Sequence, residues 1–233
     1  MKSGTLIFVP GLLCTGELFA PQVDALNGRY DVRIADTLSD TTIDAMADRL
    51  LASAPPRFAL GGLSMGGYVA LSVARKALDR LEKLILMDTS ARPDTEEQTA
   101  NRRRLVELAQ RSGMAAVTQV LLERLLASHH QADERLRALV DGMAEEIGVE
   151  AFLLQQEAII GRIDSRAILS QIPTRTLVIV GEADVLTPVA LAREIADGLP
   201  DARLATIPNA GHLVTIEEPE AATREIEAFL AED

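Results

Sequence analysis

Residues 60–71 read LGGLSMGGYVAL, a serine between glycine pairs that directly follows the short apolar run FALG. The apolar run predicts a strand, and residues 65–78 have the apolar spacing of a helix. Between them, Gly62-Leu63-Ser64-Met65-Gly66 matches the pattern G-x-S-x-G. A sharp strand-to-helix turn needs glycine or a very small residue two positions before and after such a serine. The stretch therefore predicts a turn that presents Ser64, although a simple serine helix cap is the alternative.

Six short apolar runs, each bounded by turn residues, predict six strands. They are residues 5–9, 30–35, 57–60, 84–87, 176–180 and 203–207. Helical periodicity separates several of them, notably at 42–54 and 65–78. Because a βαβα order is typical of a parallel sheet with helices on both faces, the predicted fold class is α/β.

The alternation of strands and helices stops between Arg92 and Ile172. Apolar residues recur there mostly three and four positions apart, which predicts about four helical elements. The predicted breaks are Gly113, Ser128, Gly148 and Gly161. We therefore expect a core made of residues 1–92 and 172–233, with a helical insertion at 93–171.

Composition and charge limit the expected partners. The chain has 233 residues, 48% of them hydrophobic, which is enough for one domain with its own core. Its net charge of −12 argues against binding to nucleic acid, and the run Arg102–Arg104 is expected to be a solvated helix face. The acidic surface is also expected to disfavour highly anionic substrates such as CoA esters. A small molecule is therefore the expected partner.

Cysteine content and hydropathy give expectations about location and cofactors. Cys14 is the single cysteine, so no intramolecular disulfide can form, and no Cys/His cluster predicts a zinc site. No segment reaches the roughly 20 apolar residues that span a bilayer, and the start MKSGTLIFVPG is typical of a strand rather than a signal peptide. We expect a cytoplasmic protein with no metal, no cofactor and no membrane partner.

A serine nucleophile needs a base, and the chain has three histidines. His129 and His130 are adjacent within the predicted insertion, where they are typical of a solvated helix end. His212 lies in IPNAGHLVTIEEP, between the last predicted strand and a terminal helix that begins near Pro219. Because open α/β sheets place their sites in loops at the carboxyl ends of strands, His212 is the predicted base.

The imidazole in turn needs an acid that fixes its tautomer and stabilises the imidazolium. Asp184 follows a predicted strand in VIVGEADVLTP, and the order serine, acid, histidine along the chain is the one expected for this kind of turn. Glu182 is a rival, but it is expected to point differently. Asp88 also follows a strand, and a turn-capping role beside Thr89 and Ser90 is expected for it.

Two backbone donors are required to stabilise the oxyanion that forms during attack. The N–H of Met65, directly after the nucleophile, is the first predicted donor. The second is expected in the loop FVPGLLCTG, where Gly11 permits a tight turn that directs the N–H of Leu12. Cys14 in this loop has no cationic neighbour in sequence and is expected to be a packing residue.

Together these segments resemble the α/β-hydrolase superfamily. VPGLL matches its oxyanion loop, GLSMGG its serine turn, GEADVLTP its acid loop and NAGHLVTIEEP its histidine loop. The resemblance covers the whole chain, with residues 92–172 corresponding to a helical cap, and is greatest to small bacterial capped esterases and lactonases of the pimeloyl-ester esterase type. Many relatives have His-Gly where this chain has Pro10-Gly11, but a backbone donor does not require that histidine.

The resemblance and the predicted triad imply hydrolysis of a small or aliphatic ester through an acyl-enzyme. Because 3% of the residues are aromatic, an aliphatic pocket is expected, with Leu13, Phe152, Leu186 and Leu213 as predicted walls. Lactone hydrolysis, carbon–carbon cleavage and perhydrolysis on the same triad stay open, as does a small-molecule receptor with slow turnover. Amphipathic helices of the insertion could pack on the core or on a second subunit, so monomer and homodimer both stay open.

Overall fold

A computed structural model describes residues 2–232, so Met1 and Asp233 of the predicted core lie outside the described residues. A six-stranded sheet with the order β2-β1-β3-β4-β5-β6 runs through the molecule, and every neighbouring pair is parallel. The strands are β1 Thr5–Val9, β2 Asp31–Ile34, β3 Phe58–Leu63, β4 Leu81–Met87, β5 Thr176–Gly181 and β6 Ala202–Ile207. The predicted α/β class is therefore confirmed.

β3 and β4 each extend three residues beyond their predicted bounds, and in both cases the sequence pattern hides the extension. β3 continues through Gly61 and Gly62, although glycine weakens a strand pattern. A Cβ at Gly61 would lie 2.7 Å from the Phe8 ring, so glycine is required where β3 packs against this side chain. β4 begins three residues before the predicted start. The prediction missed these residues because Glu82 and Lys83 interrupt the apolar run.

Helices cover both faces of the sheet. They are α1 Ala20–Leu26, α2 Ile43–Ser53, α3 Met65–Lys76, α4 Glu96–Ser112, α5 Met114–Leu125, α6 Glu134–Ile160, α7 Arg166–Leu169, α8 Val189–Gly198, α9 Val214–Glu217 and α10 Pro219–Ala231. Alternate residues of β1 point to opposite faces, so Leu6 and Phe8 join one hydrophobic cluster while Ile7 and Val9 join the other. Within residues 2–232, no helix is both long and apolar enough to cross a membrane.

The chain between β4 and β5, residues 88–175, contains helices α4 to α7, and we call it the inserted segment. Gly113, with φ of 76°, separates α4 from α5, and Gly148, with φ of 71°, interrupts the helical conformation of α6. The other two predicted breaks coincide with the connection between α5 and α6 and with the end of α6 at Gly161. Side chains of α4, α5 and α6 pack into the hydrophobic cluster that contains Phe8. A division into separate core and cap units stays a prediction.

Candidate active site

Ser64 lies in the sharp turn between β3 and α3, with φ of 54° and ψ of −113°. The turn brings backbone segments so close together that side chains do not fit. A Cβ at Gly62 would lie 2.2 Å from the Gly66 carbonyl oxygen, and a Cβ at Gly66 would lie 1.9 Å from the carbonyl oxygen of Val9. The glycines on both sides of the serine are therefore required by packing. Ser64 makes no side-chain cap hydrogen bond, so the helix-cap alternative does not describe it.

The three predicted residues of the triad meet at the carboxyl edge of the sheet. His212 Nε2 lies 2.9 Å from Ser64 Oγ, and His212 Nδ1 lies 2.8 Å from Asp184 Oδ2. They follow β3, β5 and β6, so the parallel sheet brings three distant loops together. Asp184 fixes the tautomer in which Nδ1 carries the proton, which leaves Nε2 free to accept a proton from the hydroxyl group.

Asp184 is held as a carboxylate by its surroundings. Its Oδ1 accepts from the amides of Leu186 and Thr187 at 2.7 and 2.9 Å, and its Oδ2 accepts from the Thr187 hydroxyl at 2.6 Å. Burial by itself would raise the pKa of Asp184, but the charge of His212 and these hydrogen bonds outweigh burial and lower the pKa to about 2. The group is therefore ionised at neutral pH. Glu182, the weaker candidate from the sequence, is exposed.

The predicted oxyanion loop contains a tight turn that begins at Gly11, and its positive φ lies at Leu13. The Cys14 amide donates to the Gly11 carbonyl at 3.2 Å, and Leu13, rather than Gly11, has a positive φ of 64°. The Leu13 amide donates to Gln155 Oε1 of α6 at 3.2 Å, which holds this conformation in place. Within residues 2–232 no acceptor faces the amide of Leu12.

Met65 begins α3, and its amide likewise has no acceptor among the described residues. The amides of Leu12 and Met65 are thus available to an oxyanion. Cys14, which belongs to the predicted oxyanion loop and lines the cavity beside Ser64, is buried, and burial raises its pKa to about 12, as expected for a packing residue.

Asp88 has a different place from the expected one. Its side chain is fully buried and does not cap the turn at Thr89 and Ser90; instead, its Oδ1 accepts from the Gly181 amide at 2.9 Å and its Oδ2 from the Val214 amide at 3.2 Å. Burial, and next the charge of Asp184, raise the pKa of Asp88 well above its usual value. The predicted turn-capping role is therefore wrong, because the carboxylate bonds the last residue of β5 and the first residue of α9 instead.

Glu217 is a buried residue that the sequence reading missed. Its carboxylate accepts from the Gly211 and Leu213 amides, both at 3.0 Å, on either side of the histidine of the triad. It also accepts from the Ala127 amide at 2.7 Å and contacts His130 Nδ1 at 3.1 Å. His130 is therefore half-buried and partnered, not part of a solvated helix end. The sequence carries no signal for this, because Glu217 stands in the acidic run EEPE, which is typical of a surface.

A cavity of about 450 Å³ opens beside the triad. Three predicted walls, Leu13, Leu186 and Leu213, line it, together with aliphatic residues of α4 and α5. Phe152, the fourth predicted wall, does not line it; its side chain is completely buried in the hydrophobic cluster that contains Phe8. Three of the four residues thus lie at the cavity as expected, and their contact with a substrate stays a prediction.

The cavity also has polar walls that the composition did not predict. Four arginines line it, Arg92, Arg102, Arg124 and Arg162. Arg102 was expected on a solvated helix face, but its side chain is only 19% exposed. The net charge of the chain therefore does not describe the charge of the cavity.

Among residues 2–232 no three His, Cys, Asp or Glu side chains are grouped to hold a metal ion.

A family model described as the alpha/beta hydrolase family matches residues 6–226. The chain belongs to this family. The family membership that the sequence resemblance implied is therefore confirmed.

Named relatives and solved structures are consistent with this membership. The hydrolase is 30% identical to a protein named carbamate hydrolase RutD from Rhizobium rhizogenes, over 97% of this chain and 92% of that one. It is also 30% identical to a pimeloyl-[acyl-carrier protein] methyl ester esterase from Chromobacterium violaceum, over 84% and 82% of the two chains. A thermophilic esterase from Thermogutta terrifontis, solved with malate bound, superposes with a TM-score of 0.90 and 30% identity, over 98% of this chain and 90% of that one.

Proposed function

We propose that this hydrolase is a serine esterase that cleaves small or aliphatic carboxylic esters. The observation that carries the proposal is the unbroken hydrogen-bond chain from Ser64 Oγ through His212 to the ionised Asp184. It lies at the edge of a cavity whose aliphatic walls can contact a small acyl group. Two free backbone amides beside Ser64 supply what a tetrahedral intermediate needs.

The proposed reaction has two halves. His212 Nε2 takes the proton of Ser64 as the serine oxygen attacks the ester carbonyl, and the amides of Leu12 and Met65 donate to the oxyanion. The imidazolium then gives its proton to the leaving alcohol, which leaves an acyl-enzyme. Water, deprotonated by the same imidazole, attacks the acyl group. The imidazolium then returns this proton to Ser64 Oγ as the ester bond to the serine breaks and the acid is released. Asp184 orients the ring and stabilises its charged form in both halves.

We also propose that the inserted segment acts as a cap. Leu105 of α4, and Leu121 and Leu125 of α5, line the cavity opposite the sheet. These side chains would contact the acyl or alcohol part of the substrate and exclude water from it.

The proposal is tested with p-nitrophenyl esters from acetate to decanoate. Ser64→Ala should lower turnover by at least about 10³ without unfolding the protein, because it removes the nucleophile and leaves the packing of the turn unchanged. Ser72→Ala is the matched control. Ser72 lies two turns further along α3 and donates to Asp44 at 2.6 Å, away from the cavity, so this variant should keep its activity.

A fluorophosphonate probe gives a second readout, since it should label wild type and Ser72→Ala but not Ser64→Ala. A folded wild-type protein that neither hydrolyses an ester nor takes the label would contradict the proposal. Product analysis with a lactone, a carbamate and a diketone in the same panel distinguishes the alternative reactions. Tight ligand binding with turnover slower than minutes would favour a receptor.

A further inference from the structure

One end of the cavity is cationic, and it is formed by the beginning of α4 and the end of α6. Arg102 and Arg162 line the cavity there and share a single carboxylate, that of Asp94. Arg102 Nε donates to Asp94 Oδ2 at 2.7 Å, and Arg162 Nη1 makes a short hydrogen bond to Asp94 Oδ1. The side chains are 19% and 5% exposed, and that of Asp94 is 1% exposed. Two guanidinium groups that are largely withdrawn from water thus have one counter-charge between them.

The excess positive charge has unused hydrogen-bond donors. The side chain of Arg162 is only 5% exposed, yet its Nη2 makes no hydrogen bond to any of residues 2–232. Arg102 Nη2 reaches only Asp94 Oδ1, at 3.5 Å, a distance at which a hydrogen bond is weak. A buried cation without a full set of partners is costly, so an anion that enters here is stabilised by both charge and donors.

The remaining charged groups of the lining do not cancel this excess. Arg92 is paired with Glu194 through two hydrogen bonds, at 2.8 and 2.9 Å. Arg124 of α5 is exposed and has no partner among residues 2–232. Glu97 is the acidic residue that lines the cavity itself, and it is exposed, so water screens its charge.

The cationic end belongs to the same cavity as the nucleophile. The Arg162 guanidinium lies 4.4 Å from the centre of the Tyr68 ring, and Tyr68 is one helical turn after Ser64 on α3. Tyr68 and Arg162 line the cavity together with Ser64, and also border a second cavity of about 210 Å³. A substrate attached at the serine therefore has a cationic wall within the space that it occupies.

We propose that this end is a carboxylate-binding subsite, and that the substrate is an ester or lactone that carries a free carboxylate. The inference rests on the ester hydrolysis proposed above and adds the class of substrate. Guanidinium groups present paired donors that match the two oxygens of a carboxylate. Arg102 and Arg162 bind the carboxylate, Arg124 attracts it at the entrance, and the aliphatic walls contact the methylene groups between the carboxylate and the ester.

The test compares methyl half-esters of dicarboxylic acids, from malonate to adipate, with their neutral methyl ester amides of equal length. Wild type should show a kcat/KM for the best half-ester that is roughly tenfold to a hundredfold above that for its amide. Arg102→Gln should remove most of this preference, and Arg102→Lys should restore part of it. Arg124→Gln, at an exposed position, should reduce the preference by about threefold without affecting folding.

Arg103→Gln is the matched control, because Arg103 is on the same helix, carries the same charge and does not line the cavity. It should keep the full preference. The free dicarboxylate should also inhibit hydrolysis of p-nitrophenyl acetate competitively in wild type and Arg103→Gln, and more weakly in Arg124→Gln. This inhibition tests whether the cavity binds a carboxylate even if Arg102→Gln does not fold.

Equal kcat/KM for half-ester and amide at every length, with no inhibition by the dicarboxylates, would overturn the subsite while ester hydrolysis stands. A wild-type protein that hydrolyses neither series and resists the fluorophosphonate would overturn the proposed function itself. The two failures are therefore distinguishable.

Discussion

Ser64 is held in a backbone conformation that serine rarely adopts, and the strain is offset by hydrogen bonds around it. Its amide donates to the Met87 carbonyl at 2.9 Å, and its carbonyl accepts from the Thr89 hydroxyl at 2.8 Å. Such a conformation costs of the order of 1–3 kcal/mol and persists where the surroundings fix it. Leu13, Asp88 and Asn209 are the other non-glycine residues with positive φ among residues 2–232, and all of them lie in loops around the triad.

Asp184 should stabilise the protein in a pH-dependent way. Because its pKa is lowered from 3.8 to about 2 on folding, its contribution is present above pH 4 and is lost as the pH falls through 2. The loss should be of the order of 2 kcal/mol. Urea unfolding of wild type and Asp184→Asn at pH 5 and at pH 2.5 measures it, and the free-energy difference between the two proteins should shrink at the lower pH.

The comparison with Asp184→Asn is needed because Asp88 acts in the opposite direction. The pKa of Asp88 is raised on folding, so its ionisation destabilises the protein as the pH rises. Burial, the largest cause of this shift, is common to both proteins, whereas the part due to the charge of Asp184 is lost in Asp184→Asn. An unchanged difference between wild type and Asp184→Asn across this range would contradict the prediction. At neutral pH, Asp184→Asn should also lower kcat by about 10⁴, because the amide favours the wrong tautomer of His212.

At the scale of elements, the crossing of β1, β3 and α3 fixes the turn that carries the nucleophile. The sequence predicted this well, because the glycine pattern is local and its steric reason is general. The strands were predictable because each is a short apolar run, which is likewise a local pattern. The contacts of Gln155 and Glu217 were missed, because each depends on segments that are far apart in sequence and meet only after folding.

Gly66→Ala should disrupt the crossing of β1 and α3. The added methyl group would lie 1.9 Å from the Val9 carbonyl oxygen, and backbone cannot move aside as a flexible side chain can. We expect a loss of stability of about 3 kcal/mol or more, together with loss of activity. Thermal unfolding and ester hydrolysis measure the two effects.

Gly142→Ala is the control for this substitution. Gly142 lies exposed within α6, and a Cβ there meets nothing within 4 Å. Alanine should therefore raise stability by about 0.5–1 kcal/mol through helix propensity alone. A Gly66→Ala protein as stable as Gly142→Ala would show that the turn can relax.

At the scale of the whole molecule, the sheet and the inserted segment together position the residues of the proposed triad. The His212 amide donates to the Leu125 carbonyl at the end of α5, at 3.1 Å. Glu217 adds contacts to Ala127 and His130 in the connection that follows α5. The sequence predicted the sheet and the inserted segment but not the hydrogen bonds that join them. Buried polar partners leave no periodic pattern in a sequence.

Glu217→Gln should therefore weaken catalysis through the position of His212. The carboxylate of Glu217 contacts four groups: the amides of Gly211, Leu213 and Ala127, and Nδ1 of His130. A glutamine has one accepting oxygen in place of two, so some of these groups lose their acceptor. We expect kcat to fall about tenfold or more and KM to change little, with a loss of stability of about 1–3 kcal/mol. Glu218→Gln is the control, since Glu218 reaches His130 only at 4.0 Å and should behave as wild type. An unchanged kcat in a destabilised Glu217→Gln protein would make Glu217 purely structural.

The pairing of β4 with β5 has a consequence for folding kinetics. These neighbours are separated in sequence by the whole inserted segment, so the sheet is completed only after a long loop closes, and such non-local pairing slows folding. During synthesis, β1 to β4 emerge with the serine turn before either partner of the serine has been made. Under the proposed function, a nascent chain therefore carries its nucleophile without a base, and it becomes reactive only when its last strands join the sheet.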